Sequence, residues 1–113
     1  MPFVNVKTNT VLSPEKIETI KSGLGTAITA IPGKSESWLM VGIEDDYKLF
    51  FRGTSDPAAM VEVTLFGNVS SSAAENFTGK VTKILSDNIG ISPDRIYVSY
   101  LTTPNWGWNG SDL

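Results

Sequence analysis

The residue with the clearest chemical potential in this chain is Pro2. It follows Met1, so removal of Met1 would leave a free secondary amine on a rigid ring. A neutral amine in an apolar pocket can act as a general base or a nucleophile. The chain has no His and no Cys, the two side chains that most often do such work. The alternative is structural, because Pro also fits the first position of a strand, where no N–H is needed.

Three other places carry charged residues that could do chemistry. Lys34 follows a predicted helix end, where a cation is favourable by itself. Asp45-Asp46 has no supporting ligands and predicts a solvated turn rather than a metal site. Asp94-Arg95 predicts a turn at the entry to a strand, with a surface ion pair and no chemistry. Residue type alone therefore assigns chemistry to none of these three places.

The composition excludes several classes of protein and site. A net charge of −3 and nine scattered basic residues argue against nucleic acid as a partner. The apolar runs are far too short to span a membrane, and no secretory signal is recognisable. Without Cys or His, disulfides and most zinc sites are excluded, and we expect no metal. We expect a cytoplasmic protein, with secretion by a non-classical route left open.

The first half of the chain predicts a strand, a helix and a second strand. Residues 2–8 alternate between apolar and polar, which is typical of a strand. A helix is expected to begin at Ser13, a good N-cap followed by Pro, and to end before Pro32. Residues 37–43 are apolar on both faces, which predicts a strand covered on both sides.

The second half of the chain repeats this order. Residues 59–66 and 95–101 predict strands, and the helix between them should begin at Ser70 or Ser71 and end at Gly90. In the first half the two strands start at about residues 3 and 38, a separation of 35 residues. In the second half they start at about residues 60 and 96, a separation of 36 residues. We therefore predict a single α+β domain over residues 1–113. It has two pseudo-symmetric βαβ repeats, a four-stranded mixed sheet with two helices on one face, and short edge strands such as 47–51.

The second face of such a sheet has no helix to cover it. Alternation along the strands places Met60, Phe66, Tyr97 and Leu101 on this face. Apolar residues on an open sheet face usually mean that another chain covers them. The pattern therefore predicts an oligomer.

Five blocks of the sequence resemble one family over the whole chain. They are Met1-Pro2 with its strand, PGK at 32–34, FRGTSDPAA at 51–59, ISPDRIYVSY at 91–100 and WGWNGS at 106–111. In order and spacing they are similar to the macrophage migration inhibitory factor and D-dopachrome tautomerase family of the tautomerase superfamily. The last two blocks are the specific ones.

The resemblance implies a function and an assembly. Members of the family are homotrimers with active sites between neighbouring subunits. The N-terminal Pro is the base that moves a proton between enol and keto forms of aromatic α-keto acids such as phenylpyruvate. No cofactor or metal takes part.

The resemblance also assigns roles to residues. It makes Pro2 the catalytic base, Lys34 the group that binds the substrate carboxylate, and Tyr97 a pocket residue supplied by the neighbouring subunit. Ser99 stands where the macrophage migration inhibitory factor branch of the family has Asn, which shortens or removes a polar contact. Strand and interface packing remain alternatives for Tyr97 and the tryptophans. The remaining expected pocket residues are Phe3, Phe66, Trp106, Trp108 and Leu113.

The sequence leaves other functions open. A cytokine-like binding protein with a weak or vestigial tautomerase site, acting on an unknown receptor, is the main alternative. Hydration or dehalogenation, the chemistry of another branch of the tautomerase superfamily, is less favoured. Members of that branch use arginines close behind the Pro, and residues 3–11 contain none. A plain structural ferredoxin-like module is less favoured still. The thiol–disulfide activity of a CxxC motif is excluded, since the chain lacks Cys.

Overall fold

Two parallel strand pairs meet at the centre of one four-stranded sheet. The computed structural model describes all of residues 1–113. The strands are β1 (Pro2–Thr8), β2 (Met40–Glu44), β3 (Ala59–Phe66) and β4 (Ile96–Thr103), in the order β2-β1-β3-β4. β1 pairs in parallel with β2, β3 pairs in parallel with β4, and β1 and β3 are antiparallel. The predicted pair of βαβ repeats in a mixed sheet is confirmed.

Both helices begin at the predicted caps. α1 (Pro14–Ala27) is capped by the Ser13 hydroxyl, which accepts from the Lys16 N–H at 3.2 Å. α2 (Ser71–Ile89) is capped in the same way by Ser70. Neither helix is long and apolar enough to cross a membrane. Short 3₁₀ helices cover Ile28–Ala30, Glu36–Trp38 and Pro93–Arg95.

The core lies between the helices and one face of the sheet. Alternate residues of β1 and β3 point into it, and apolar residues at helical spacing in α1 and α2 pack against them. Pro2 belongs to this buried face of β1. The largest fully buried side chains are Phe77, Ile20, Leu24, Ile28, Ile31, Leu65, Leu85 and Ile91.

Gly90 ends α2 in the left-handed region that favours glycine. Its φ is +79°, so Gly90→Ala should destabilise the protein by about 1 kcal/mol. Gly79 lies within the same helix, and a Cβ there would meet no atom within 4 Å. Gly79→Ala should therefore stabilise it, by up to about 1 kcal/mol. Urea unfolding of the two variants measures this contrast, and shifts of the same sign would contradict it.

The strand predicted over residues 37–43 is wrong in two respects. Residues 36–38 form a 3₁₀ helix, and β2 begins only at Met40, opposite Phe3. β1 starts at Pro2, which has no N–H, so earlier residues of β2 would have no partner. β2 is also not covered on both faces. It is an edge strand of the sheet, and Met40 is 68% exposed.

The short strand predicted at 47–51 is also absent. This segment forms only an isolated bridge between Phe51 and Thr54. Side-chain donors take the place of a partner strand for several of its carbonyls. The short strands observed are instead β5 (Gly107–Trp108) and β6 (Ser111–Asp112), which form a separate two-stranded sheet at the C-terminus.

The open face of the sheet is partly apolar and partly charged. Tyr97 and Leu101 are 60% and 66% exposed there, as the alternation predicted. Lys7 forms a salt bridge with Glu62 at 2.9 Å on the same face. Lys7 is thereby held as a cation, because its hydrogen bond to the Glu62 carboxylate raises the pKa of its ammonium.

Candidate active site

The start of β1 and the turn after α1 converge on one backbone segment at the end of β3. The Met1 carbonyl accepts a hydrogen bond from the Phe66 N–H at 3.2 Å. The Lys34 ammonium donates to the Phe66 carbonyl at 2.9 Å. Pro2 is buried beside them, opposite Leu65 in the sheet. Pro2 and Lys34, far apart in sequence, are therefore neighbours of the same residue.

A tight turn places Lys34 at this position. The Lys34 N–H donates to the Ile31 carbonyl at 3.1 Å, and Gly33 has a φ of +80°. Pro followed by a residue with positive φ is typical of a type II turn, which favours Gly at the second central position. The Pro32-Gly33 pair that ends the helical segment thus also turns Lys34 towards the N-terminus.

The amine at the chain start has a perturbed pKa. Burial, followed by the positive charge of Lys34 and its hydrogen bond, lowers the pKa of the Met1 α-amine from 8.0 to about 6. Burial disfavours the charged form of the amine, and the charge and hydrogen bond of Lys34 disfavour a second cation beside the first. The Met1 α-amine is therefore mostly neutral at physiological pH.

An apolar cavity of about 350 Å³ opens beside these groups. Trp38 and Trp108 meet edge to face in its wall, with ring centroids 5.1 Å apart. The volume lies within the usual range of small-molecule pockets. Its lining consists of Met1, Pro2, Phe3, Ser37, Trp38, Leu39, Met40, Trp106, Gly107 and Trp108.

The C-terminal hairpin carries two of the tryptophans. Asn109 and Gly110 join β5 to β6 with φ values of +54° and +81°. Two consecutive residues with positive φ are typical of a type I′ turn, for which Asn-Gly is the preferred sequence. The Leu113 N–H donates to the Trp106 carbonyl at 2.9 Å and extends the pairing. The hairpin therefore holds Trp106 and Trp108 against the cavity.

The structure does not bring all the predicted site residues together within one chain. Tyr97 pairs through Met60 with Lys7, which lies five positions and so about 17 Å along β1 from Pro2; Tyr97 is a further two strands across the sheet. Ser99 is exposed on the same open face. Leu113 does not line the cavity and is 53% exposed. Phe66 does not line it either, and contributes only the carbonyl group that accepts the hydrogen bond from Lys34.

Comparison with known proteins shows the family of this chain. The family model described as "Macrophage migration inhibitory factor (MIF)" matches residues 1–113. The chain belongs to the MIF family. The rat macrophage migration inhibitory factor is 34% identical over 98% of this chain and 97% of the rat protein. A homologue from Trichuris trichiura is 29% identical over 98% of both.

Solved structures agree with the MIF fold. The crystal structure of Leishmania major MIF2 is 29% identical and matches with a TM-score of 0.93, over 100% of this chain and 97% of that one. The MIF homologue of Prochlorococcus marinus is 26% identical, with a TM-score of 0.82 over 97% of each chain. The fold and the resemblance inferred from the sequence are both confirmed.

Six of the ten residues that line the cavity in this MIF-family chain were not predicted, among them the large side chains of Trp38 and Met40. Both are at least half exposed. The sequence placed them in a strand buried on both sides, so their side chains were assigned to packing. An aromatic residue four positions after Lys34 was the available signal.

A larger cavity, of about 530 Å³, lies elsewhere on the molecule, between α1 and α2. Its lining is mostly polar and includes Lys80, Lys83 and Asp87, of which the last two form a salt bridge at 3.0 Å. It contains neither the chain start nor an aromatic wall. Nowhere in the chain do three acidic side chains converge as a metal site would require.

Proposed function

We propose that this chain, after removal of Met1, is a cofactor-independent keto–enol tautomerase of phenylpyruvate-type α-keto acids, with Pro2 as general base. One observation carries the proposal. Lys34 donates to the Phe66 carbonyl at 2.9 Å beside the Met1 α-amine, whose pKa is lowered to about 6, and Met1 and Pro2 both line the apolar aromatic cavity. Removal of Met1 would leave the Pro2 amine in these surroundings. A neutral amine, a cation and an aromatic wall match, in turn, the C3 proton, the carboxylate and the aromatic ring of an arylpyruvate.

Pro2 provides the proton transfer in this proposal. Without Met1, its nitrogen is a secondary amine, and its buried position disfavours the protonated form. The neutral nitrogen takes a proton from C3 of the keto acid. The electron pair of that C–H bond forms the C2–C3 double bond, and the C2 oxygen gains the negative charge and then a proton. Ketonisation runs the same steps in reverse.

Lys34 and the aromatic wall hold the substrate in this proposal. The Lys34 ammonium has three N–H donors, and the Phe66 carbonyl takes one of them. Two donors remain for a carboxylate. The edge-to-face pair of Trp38 and Trp108 offers an apolar surface for the aromatic ring.

The proposed assembly is a homotrimer with sites between subunits. Within one chain Tyr97 cannot reach Pro2, so a pocket that contains both requires a second copy. The exposed apolar residues of the open sheet face support association. Light scattering at micromolar concentration should give about three times the chain mass of 12.2 kDa. A single species at the monomer mass would contradict the proposal.

The function is tested by following ketonisation of phenylpyruvate enol by absorbance. Mass spectrometry first verifies that the chain starts at Pro2. Turnover well above the rate in buffer is expected from the trimmed protein. A trimeric, folded and trimmed protein without turnover would reject the tautomerase proposal.

The second candidate is a binding protein of the cytokine type. The names of the related rat and mouse proteins, "Macrophage migration inhibitory factor", favour it, since they describe an effect on cells. The same fold can serve either function. Absence of turnover in the trimmed trimer would favour this second candidate.

A further inference from the structure

Arg95, at the entry to β4, holds the loop that precedes β3. Its Nε donates to the Pro57 carbonyl at 2.9 Å and its Nη1 to the Phe51 carbonyl at 3.2 Å. Its Nη2 donates to the carbonyls of Thr54 and Asp56 at 3.3 and 3.0 Å. The expected ion pair with Asp94 is not made by Arg95; Asp94 pairs instead with Arg52 at 3.2 Å. The guanidinium of Arg95 is thus committed to backbone carbonyls.

Asn9, just after β1, holds the same loop through a second set of hydrogen bonds. Its Nδ2 lies within hydrogen-bond distance of the Leu49, Ser55 and Asp56 carbonyls, at 3.1, 3.2 and 3.0 Å. Its Oδ1 accepts from the Ala58 N–H at 2.9 Å. The loop has no partner strand, so these two side chains satisfy its backbone groups.

The loop in turn presents an aromatic ring to Tyr97. The rings of Phe51 and Tyr97 meet edge to face, with centroids 5.0 Å apart. The Arg95 guanidinium carbon lies 5.2 Å from the centre of the Phe51 ring. A small apolar cavity of about 150 Å³ adjoins them, lined in part by Met60. Since Tyr97 is 60% exposed, Phe51 is the aromatic neighbour that restrains its ring within the chain.

We propose that Arg95 is a positioning residue for Tyr97. By fixing the loop it fixes the Phe51 ring, and the Phe51 ring sets the orientation at which Tyr97 meets an aromatic substrate in the neighbouring subunit. This inference rests on the proposed function, because it places Tyr97 in that pocket. A pre-set ring lowers the entropy lost when the substrate binds, so the effect falls on KM rather than on proton transfer.

Fluorine NMR tests the positioning independently of activity. The chain contains three tyrosines, so labelling with 3-fluorotyrosine gives three resonances, and Tyr97→Phe identifies that of Tyr97. Arg95→Gln and Phe51→Leu are each expected to shift or broaden this resonance. Phe51→Leu keeps the guanidinium, so it still tests the ring contact if Arg95→Gln fails to fold. An unchanged Tyr97 resonance in a folded variant of either kind would overturn the proposal.

Arg52→Gln is the matched control. The Arg52 guanidinium lies 5.1 Å from the same Phe51 ring, but its recorded hydrogen bond is to Asp94 and not to the loop carbonyls. The Tyr97 resonance should therefore be unaffected. A shift as large as that of Arg95→Gln would overturn the proposal, because it would assign the effect to a cation near the ring rather than to the hydrogen-bonded loop.

Kinetics supply the second arm. Arg95→Gln should raise KM for phenylpyruvate about five- to tenfold, with kcat and its pH profile unchanged. In a Tyr97→Ala background the same substitution should raise KM no further, because coupled residues are non-additive. Equal effects in both backgrounds would overturn the proposal. If the trimmed protein has no activity, the proposed function fails, and the NMR arm still decides the positioning of Tyr97.

Discussion

Pro2→Gly should lower kcat for phenylpyruvate ketonisation by about 10²- to 10⁴-fold, the usual contribution of a positioned general acid or base. The variant keeps a free amine at the chain start but loses the rigid ring and the basicity of a secondary amine. Pro2 is buried at the start of β1, so the ring fixes the direction of the nitrogen lone pair relative to the cavity. Stopped absorbance assays on mass-verified, trimmed chains measure kcat and KM separately.

Blocking the chain start is the sharper form of the same prediction. A retained Met1 turns the Pro2 nitrogen into an amide, which cannot accept a proton at neutral pH. An N-terminal tag does the same and also removes the low-pKa Met1 amine from the cavity. Activity should be abolished in the tagged chain and return after cleavage to Pro2. Turnover by a verified tagged chain at the trimmed rate would show that Pro2 is not the base.

The pH profile follows from the same group. The active form of the base is the neutral amine, so kcat/KM should rise with pH and level off above the pKa of the free enzyme. Burial and the charge of Lys34 lower the pKa of the Met1 amine, and we expect the same causes to act on the Pro2 amine once Met1 is removed. The midpoint should therefore lie well below the usual range of a secondary amine. Pro2→Gly should lower the plateau at every pH.

The sequence predicted most of the fold because its signals were local. Ser13 and Ser70 cap their helices through their own hydroxyls, and Gly90 ends α2 in a conformation that glycine favours. Alternation in β1 and β3 directly reflects one buried and one open face. The matched spacing of the halves then fixed the βαβ repeat and its parallel pairs.

Long-range contacts explain what the sequence did not reveal. The start of β2 depends on where its partner begins, and β1 begins at a proline without an N–H. The segment at 47–51 is no strand, and Asn9 and Arg95, both distant in sequence, donate to its Leu49 and Phe51 carbonyls. Residues 36–38 form a 3₁₀ helix instead of extending β2, and Trp38 therefore lines the cavity.

The candidate site shows the same division. Pro2 and Lys34 were identified by residue type and resemblance, and the structure places both beside Phe66. No local pattern could show that Tyr97 lies at the far end of the sheet, because that follows from the register of three strands. A pocket with all the expected residues would therefore require a second copy of the chain.

Lys34→Ala should raise KM for phenylpyruvate by about ten- to a hundredfold, because hydrogen bonds to charged groups are typically worth about 1.5–3 kcal/mol. The fold should stay intact, since the Phe66 carbonyl loses one donor but is only partly buried. Lys34→Arg should recover part of the affinity because it keeps the cation. Lys83→Ala, which removes a surface cation paired with Asp87, is the matched control and should leave KM unchanged.

Two readouts separate carboxylate binding from a structural role of Lys34. The methyl ester of the substrate has no negative charge, so the trimmed wild type and Lys34→Ala should differ little in KM for it. Lys34 also lowers the pKa of the neighbouring amine by charge repulsion and a hydrogen bond. Its removal makes the ammonium less unfavourable, so the midpoint of the pH profile should move to higher pH. An unchanged KM for the acid, with an unmoved pH midpoint, would return Lys34 to the simple role of a cation at a helix end.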